Sequence, residues 1–381
     1  MSTVPPETSS QWSTTDYELM ARALELAAKG LGQTSPGPLV GCVIVDELGR
    51  IAGEGYYVFE DVKHAETIAL AQAGGRARGG TAYVSLEPHA HHGRTPPCTD
   101  ALIEAGIRRV IAPIEDLNPA VSGKGFAHLR AAGIRVEIGL LAELGERLNE
   151  KYLHFMRTGR PFVHLKLAVS LDGKIATRTN DSRWVAGAES LARVHQLRHA
   201  SDAILVGAGT ALIDDPLLTD RSGLKRRRPL TRVVLDDELK TPLDSKLAQT
   251  VDRGPVIIFT AGKPSLDLLR KFDSQGVEIV RTERRDLLSV LLQLGSRSIQ
   301  SVLIEGGASV AGQFFDARLI DKVTFFIAPI IIGGRAGLSA VGGQGSERMA
   351  DALKLTNVAV TQRGPDLEIT GYPEKRTTVE N

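Results

Sequence analysis

Apolar and polar positions follow two periods along this chain, and the switches between them mark its elements. In the first half, Leu19, Met20, Ala23, Leu24 and Ala27 recur at helical spacing, with Asp16 as the expected N-cap and Gly30 as the stop. A loop of Ser35, Pro36, Gly37 and Pro38 follows, and residues 39–45 form a continuous apolar run, as a strand buried on both faces requires. A second strand ends near Tyr57. The pattern then predicts a helix over 64–73, a strand over 81–86, a helix over 98–105, strands over 109–113 and 136–140, and one long helix over 142–156. Strands alternating with helices predict a three-layer α/β sandwich.

At residues 157–161 Gly and Pro punctuate the chain and the pattern restarts, so a domain boundary is expected there. Strands are predicted over 162–169, 203–206, 232–235, 256–260, 277–280, 301–305 and 322–332, with helices over 188–198, 265–275 and 286–294. This is a second α/β domain with its own core, and it does not repeat the first. The expected organisation is a disordered tail over 1–15, a first domain over 16–158, a second over 159–373 and a tail over 374–381.

At 381 residues the chain is long enough for two hydrophobic cores. The net charge is +1 with both signs interspersed, which argues against a nucleic-acid-binding face. The one basic run, 225–228, reads as a solvated loop. Two cysteines, Cys42 and Cys98, fit a reducing compartment rather than a disulfide scaffold. The polar N-terminus lacks the apolar stretch of a secretory signal, and no apolar run is long enough for a bilayer. A soluble cytoplasmic protein without membrane or nucleic-acid partners is the expectation.

Chemistry enters with His64, Ala65 and Glu66, and with the run from Glu87 to Cys98, which contains His89, His91 and His92. A His and a Glu at the start of a helix point to the same end of it. The loop after strand 81–86 then supplies further metal donors, His89 and Cys98, separated by eight residues. His64, His89 and Cys98 make three zinc ligands and leave a fourth position open, as a catalytic zinc requires. Glu66, not a ligand, is the expected proton shuttle of a hydrolytic deaminase acting on a nitrogen heterocycle. Two imidazoles and one thiolate give a site one unit more positive than one imidazole and two thiolates. Such a site should hold metal while turning over at an altered rate.

In the second half, Gly306 and Gly307 lie between an apolar strand and the apolar run 310–315. That is a place for a pyrophosphate at a helix N-terminus, although not a dinucleotide fingerprint of the G-x-G-x-x-G kind. Asp214 and Asp215 stand before Pro216 with no third ligand near, so capping and cofactor orientation suit them better than a metal.

These motifs together resemble the bifunctional deaminase–reductases of riboflavin biosynthesis. The resemblance runs from about Tyr17 to Tyr372 and rests on residues 20–24, 38–45, 64–66, 91–98, 165–176, 182–184, 195–198, 207–219 and 305–312. It implies a cytidine-deaminase-like first domain, a dihydrofolate-reductase-like second domain, and Zn²⁺ and NADPH as cofactors. The substrate it implies is a phosphoribosylaminopyrimidine, deaminated at the 2-amino group and then reduced from ribosyl to ribityl. It implies that His64 and Cys98 bind metal and that Glu66 moves protons. It implies that Ala168, Trp184, Thr210, Asp214, Asp237, Gly307, Ala308, Ser309, Val310, Ala311, Gly312 and Gln313 line the NADPH site. It implies that Ser182, Arg198, Leu218, Arg221 and Glu305 contact substrate, the arginines suiting a phosphate. Lys166 is a further candidate for steadying the sugar or phosphate. Homo-oligomers are implied too. Two positions depart from the family pattern: His89 stands where Cys is usual, and Gly37 where Asn is usual. An alternative is therefore a reductase whose first domain is degenerate, and a second is a non-catalytic sensor of a pterin-like or flavin-precursor ligand.

Overall fold

The computed structural model describes residues 11–93, 95–179, 181, 187–283 and 286–374. The calls on Ser182 and Trp184, and those on residues 1–10 and 375–381, lie outside the described residues. The chain divides into two compact units, Met1–Arg157 and Thr158–Asn381.

The first unit runs α1 (Thr14–Ala28), β1 (Gly41–Val45), β2 (Ile51–Tyr56), α2 (Ala65–Ala73), β3 (Thr81–Val84), α3 (Cys98–Glu104), β4 (Arg109–Ala112), α4 (Lys124–Ala131), β5 (Arg135–Ile138), α5 (Ala142–Leu148) and α6 (Glu150–Thr158). Its sheet has the order β2-β1-β3-β4-β5, antiparallel through β1 and parallel from β3 to β5. Side-chain alternation along β1 gives the layers. Cys42 and Ile44 pack with Ala65, Ala69 and Ala73 of α2, while Val43 and Val45 pack with Met20, Ala23 and Leu24 of α1. Two glycines let α2 lie flush on β2. A Cβ at Gly53 would fall 2.1 Å from the Ala69 carbonyl, and one at Gly55 would fall 2.4 Å from that of Ala65. This close seating fixes the end of α2 that carries His64 and Glu66.

Three expectations are corrected here. Asp16 is not the N-cap of α1. Ser13 is, and Asp16 closes a capping box from the third helical position. The tail is also shorter than residues 1–15, because Ser13 and Thr14 belong to the helix and Trp12 packs against the α1 core. The long helix over 142–156 is two helices, broken at Asn149. The Asn149 side chain accepts from the Leu39 N–H (2.8 Å) and donates to the Leu39 carbonyl (2.9 Å).

The second unit runs β6 (Phe162–Ser170), β7 (Lys174–Ala176), α7 (Ala188–His199), β8 (Ala203–Gly207), α8 (Ala208–Asp214), β9 (Thr231–Leu235), α9 (Lys246–Gln249), β10 (Val256–Thr260), α10 (Leu266–Ser274), β11 (Val277–Arg281), α11 (Leu287–Ser296), β12 (Ser301–Ile304), α12 (Ala308–Asp316), β13 (Lys322–Ala328), β14 (Leu338–Ser339), β15 (Leu355–Arg363) and β16 (Asp366–Pro373). Its main sheet has the order β11-β10-β9-β8-β12-β6-β13-β16-β15. The strands from β11 to β13 in that order pair in parallel, and the last two form an antiparallel hairpin. Ala203 and Leu205 face a core with α11 and α12, and Ile204 and Val206 face one with Phe272 of α10.

The strand predicted over 322–332 stops at Ala328. The chain then turns back, and Ile332 and Gly333 donate their N–H groups to the Asp172 carboxylate. Nor is the basic run 225–228 wholly solvated. The half-buried Arg226 guanidinium donates to the carbonyls of Arg198, His199 and Ser201, closing the C-terminus of α7. Among the described residues, no helix is long and apolar enough to cross a membrane.

Candidate functional site

The first site assembles at one end of the sheet of the first unit. His64 is the N-cap of α2, and its side chain does not cap the helix, which leaves the imidazole available. Cys98 opens α3 after Pro97 and is buried. His89 lies on the loop after β3 and is only 9 % exposed. The first turn of α3 reaches back to this loop, since the Thr99 N–H and hydroxyl both donate to the His89 carbonyl. One donor atom from each of His64, His89 and Cys98 lies within 4.8 Å of the others. The Thr95 hydroxyl sits 3.2 Å from His64 Nε2 and 3.4 Å from His89 Nε2, where the two imidazoles converge.

Electrostatics agree with a cation site. Burial, and then the His64 and His91 imidazoles, holds His89 down to about 4, so it is a neutral donor at physiological pH. Burial and the neighbouring Glu66 push the Cys98 thiol up. A divalent cation at this point would reverse that preference and hold the thiolate. Glu66 is 2 % exposed, and its Oε2 has no hydrogen-bond partner among the described residues. A buried carboxylate oxygen left in this way is costly unless something else engages it. Two imidazoles, a thiol and an adjoining orphan carboxylate oxygen fit zinc with a reacting water.

The loop that presents His89 is held from behind. The buried Glu87 carboxylate accepts N–H groups from Asp116, Gly123, Gly125 and Phe126. Glu87 thus anchors the loop. The sequence reading passed over Tyr57 and Thr95. Only the register of β2 against β1 and the return of the loop at Pro96 bring them beside His64, and neither leaves a mark in linear spacing.

The second site is a cavity of about 380 Å³ at the carboxyl ends of β6, β8 and β12. Ala168, Thr210, Asp214, Glu305, Gly307, Ala308 and Ser309 line it, together with Lys166. A second cavity of about 260 Å³ shares Gly209 and Ser309 with the first, and is lined by Asp237, Val310 and Gln313. At Gly306 a Cβ would meet Val310 Cβ at 2.7 Å, whereas at Gly307 it would meet nothing nearer than Thr210 Oγ1 at 3.9 Å. Gly306 therefore serves helix packing, and Gly307 leaves the N-terminus of α12 open to a phosphate. Ala311 packs into the core and Gly312 against Gly342, and neither lines these two cavities.

Glu305 binds Arg198 through both carboxylate oxygens (2.7 and 3.0 Å) and Lys166 through one (3.3 Å). Burial pushes the Glu305 carboxyl up, but Lys166 and Arg198 outweigh it and bring it down to about 2. Arg198 also donates to the Thr219 carbonyl, which ties α7 to the loop holding Leu218 and Arg221. Leu218 is buried in the core beside Val234, and the Arg221 N–H donates to His195 Nδ1.

Residues 13–113 match the cytidine and deoxycytidylate deaminase zinc-binding region, and residues 161–369 match the RibD C-terminal domain. The riboflavin biosynthesis protein RibD of Bacillus amyloliquefaciens is 42 % identical over 357 residues, covering 93 % of this chain and 95 % of that one. The protein of the same name from Escherichia coli (strain K12) is 40 % identical over 92 % of this chain and 98 % of its own length. Among solved structures, Acinetobacter baumannii RibD superposes with a TM-score of 0.86 at 36 % identity, over 95 % of this chain and 99 % of that one. A Thermotoga maritima diaminohydroxyphosphoribosylaminopyrimidine deaminase/5-amino-6-(5-phosphoribosylamino)uracil reductase gives 0.82 at 36 % identity, over 94 % and 99 %. With two family models on its two units and relatives matched along nearly their whole length, this chain belongs to the RibD family of riboflavin biosynthesis proteins.

Proposed function

We infer that this chain carries out two consecutive reactions of riboflavin biosynthesis. The first is hydrolytic deamination of 2,5-diamino-6-(5-phosphoribosylamino)pyrimidin-4-one. The second is NADPH-dependent reduction of the ribosyl group to ribityl. The observation that carries the reading is the convergence of His64, His89 and Cys98 beside a Glu66 oxygen that has no partner among the described residues. A first domain kept only as scaffold would have no need of a buried carboxylate set beside three converging metal donors, so the reductase-only alternative lacks support.

His64, His89 and Cys98 would hold the zinc. When bound, zinc supplies the Lewis acid that makes water nucleophilic near neutral pH. Glu66 accepts the proton that water gives up and returns it to the departing amino nitrogen, so water and the C–NH₂ group become a carbonyl and ammonia. Burial of Glu66 strengthens its hold on both partners.

In the second unit, Gly307 and the N-terminus of α12 would receive a cofactor phosphate, while Ala168, Thr210 and Asp214 border the nicotinamide end. When bound, NADPH supplies the hydride. Glu305 keeps Arg198 and Lys166 in fixed positions, and Arg221 joins them towards the sugar phosphate. Residues 16–158 would make the deaminase domain and 159–373 the reductase domain. The chain would work in the cytoplasm as a homo-oligomer. The exposure of nearly the whole of β15, an edge strand, supports association, which sedimentation velocity would detect.

Purified protein should release ammonia from the diaminopyrimidine and oxidise NADPH with the deaminated product. Glu66→Gln should slow ammonia release by about 10²–10⁴-fold and leave NADPH oxidation unchanged. Loss of both activities, or of neither, would overturn the assignment of Glu66.

A further inference from the structure

We propose that Asp220 is a positioning residue of the reductase: held from behind by His199 and Arg226, it sets the turn of residues 219–221 so that the Arg221 guanidinium meets the substrate's 5′-phosphate. The inference rests on the reductase reading above, in which Arg221 faces that phosphate, and names what holds it in place.

Three successive residues of one loop are each held by a different residue of α7. Arg198 donates to the Thr219 carbonyl at 3.0 Å, His199 Nδ1 lies 2.9 Å from the Asp220 carboxylate, and the Arg221 N–H donates to His195 Nδ1 at 3.3 Å. Positions 195, 198 and 199 share one face of a helix, so the loop lies along that face. The turn is not one the chain would take unaided. Leu218, just before it, is buried with a φ of 49°, in the left-handed region that a side chain disfavours.

Asp220 is the centre of this clasp. Its side chain is 10 % exposed and that of His199 is 2 % exposed. A carboxylate only accepts, so His199 gives it the Nδ1–H. The Ser222 N–H donates to its other oxygen at 2.9 Å. The Arg226 guanidinium, whose donors close the C-terminus of α7, stands 3.8 Å away. Burial pushes the Asp220 carboxyl up, but Ser222 and then His199 outweigh it and hold it below the ordinary carboxylate range. Asp220 is therefore an anion committed to its neighbours, not to a ligand.

Arg221 is the opposite case. It is exposed, and its guanidinium has no hydrogen bond or ion pair among the described residues. Arg198 is already engaged by Glu305 and by the Thr219 carbonyl, so Arg221 is the guanidinium with all its donors available. A guanidinium takes a phosphate through two parallel bonds, which demands that its own place be set in advance. The inward-facing neighbour does this. Asp220 pins the main chain from which the outward-facing cation projects.

The test is NADPH oxidation by the full chain with the deaminated substrate and with the same compound lacking its 5′-phosphate. Asp220→Ala should raise KM for the phosphorylated substrate about tenfold with kcat within about twofold of wild type, and leave kcat/KM for the unphosphorylated one within about twofold. Asp220→Asn, which keeps the shape and the acceptor for Ser222, should bring KM back to within about threefold of wild type. Arg221→Ala should match Asp220→Ala, and the double variant should be no worse than Arg221→Ala, because the two act through one contact. His195→Ala, at the half-buried end of the clasp, should show the same selectivity at about threefold, and it decides the matter if Asp220→Ala does not fold. No selective loss in Asp220→Ala, or in His195→Ala where the former does not fold, overturns the positioning role. Equal losses on both substrates, or additive losses in the double variant, overturn it too. An unchanged phosphate preference in Arg221→Ala overturns the place of Arg221 in the site, and the positioning with it. Wild-type protein that oxidises no NADPH overturns the reductase reading itself.

Discussion

At the scale of single residues, the decisive feature is a cluster of two imidazoles and a thiol that could hold a metal ion. His89 is nearly buried and neutral, and its backbone is tied to the first turn of the helix that carries Cys98. Imidazole and thiolate both suit zinc, so His89→Cys should keep close to one zinc per chain, whereas His89→Ala should lose most of it in metal analysis by mass spectrometry. Zinc retained in full by His89→Ala would mean that the third donor lies elsewhere. This level was the most legible in the sequence. His64, Glu66, His89 and Cys98 announce themselves by type and by position at element boundaries, and the structure brings the three donors together. What the sequence hid was that the Tyr57 ring lies beside His64. A tyrosine at the end of a strand is unremarkable until its ring is found against a glycine twenty residues earlier.

At the scale of elements, apolar runs located most strands within one or two residues, because strands buried on both faces have no polar positions to blur them. The failures have specific causes. The break between α5 and α6 depends on an amide bonded to backbone 110 residues away, which no local pattern records. The hairpin of β15 and β16 was missed because β15 is mostly exposed and mixes Thr, Asn and Gln with Val. Strand 322–332 was drawn too long because its apolar character continues past the point where Asp172 captures the backbone. Asn149→Ala should leave the Leu39 N–H and carbonyl unpaired in a buried setting. The expected cost is about 2 kcal/mol or more, a fall in Tm on the order of 4–8 °C by calorimetry. An unchanged Tm would show that the two helices are held apart by something other than this clamp.

At the scale of the whole molecule, buried charge links stability to pH. In the folded chain Glu305 titrates at about 2, below the ordinary 4.5, because Lys166 and Arg198 outweigh its burial. A carboxylate depressed in the native state contributes stability that is complete above its unfolded value and is lost as pH falls from 4.5 towards 2. Asp16 behaves alike. Burial raises it, but Tyr83, Ser13 and Arg109 together bring it to about 2. Denaturant melts at a series of pH values should therefore show stability falling over that interval, with a shallower fall in Glu305→Gln. The same slope in both proteins would mean that the ion pairs around Glu305 do not contribute.

The anchoring of Glu87 has a consequence for the life of the enzyme. Four main-chain amides on one buried carboxylate brace the segment bearing His89 from the side away from the metal donors. Stripping the ion with a chelator should thus leave an intact receptacle rather than an unravelled one. Ammonia release would stop and NADPH oxidation continue, and added zinc or cobalt would restore the first within the time of mixing, with no refolding lag. A receptacle of that kind takes up its metal after the chain has folded, not as a condition of folding.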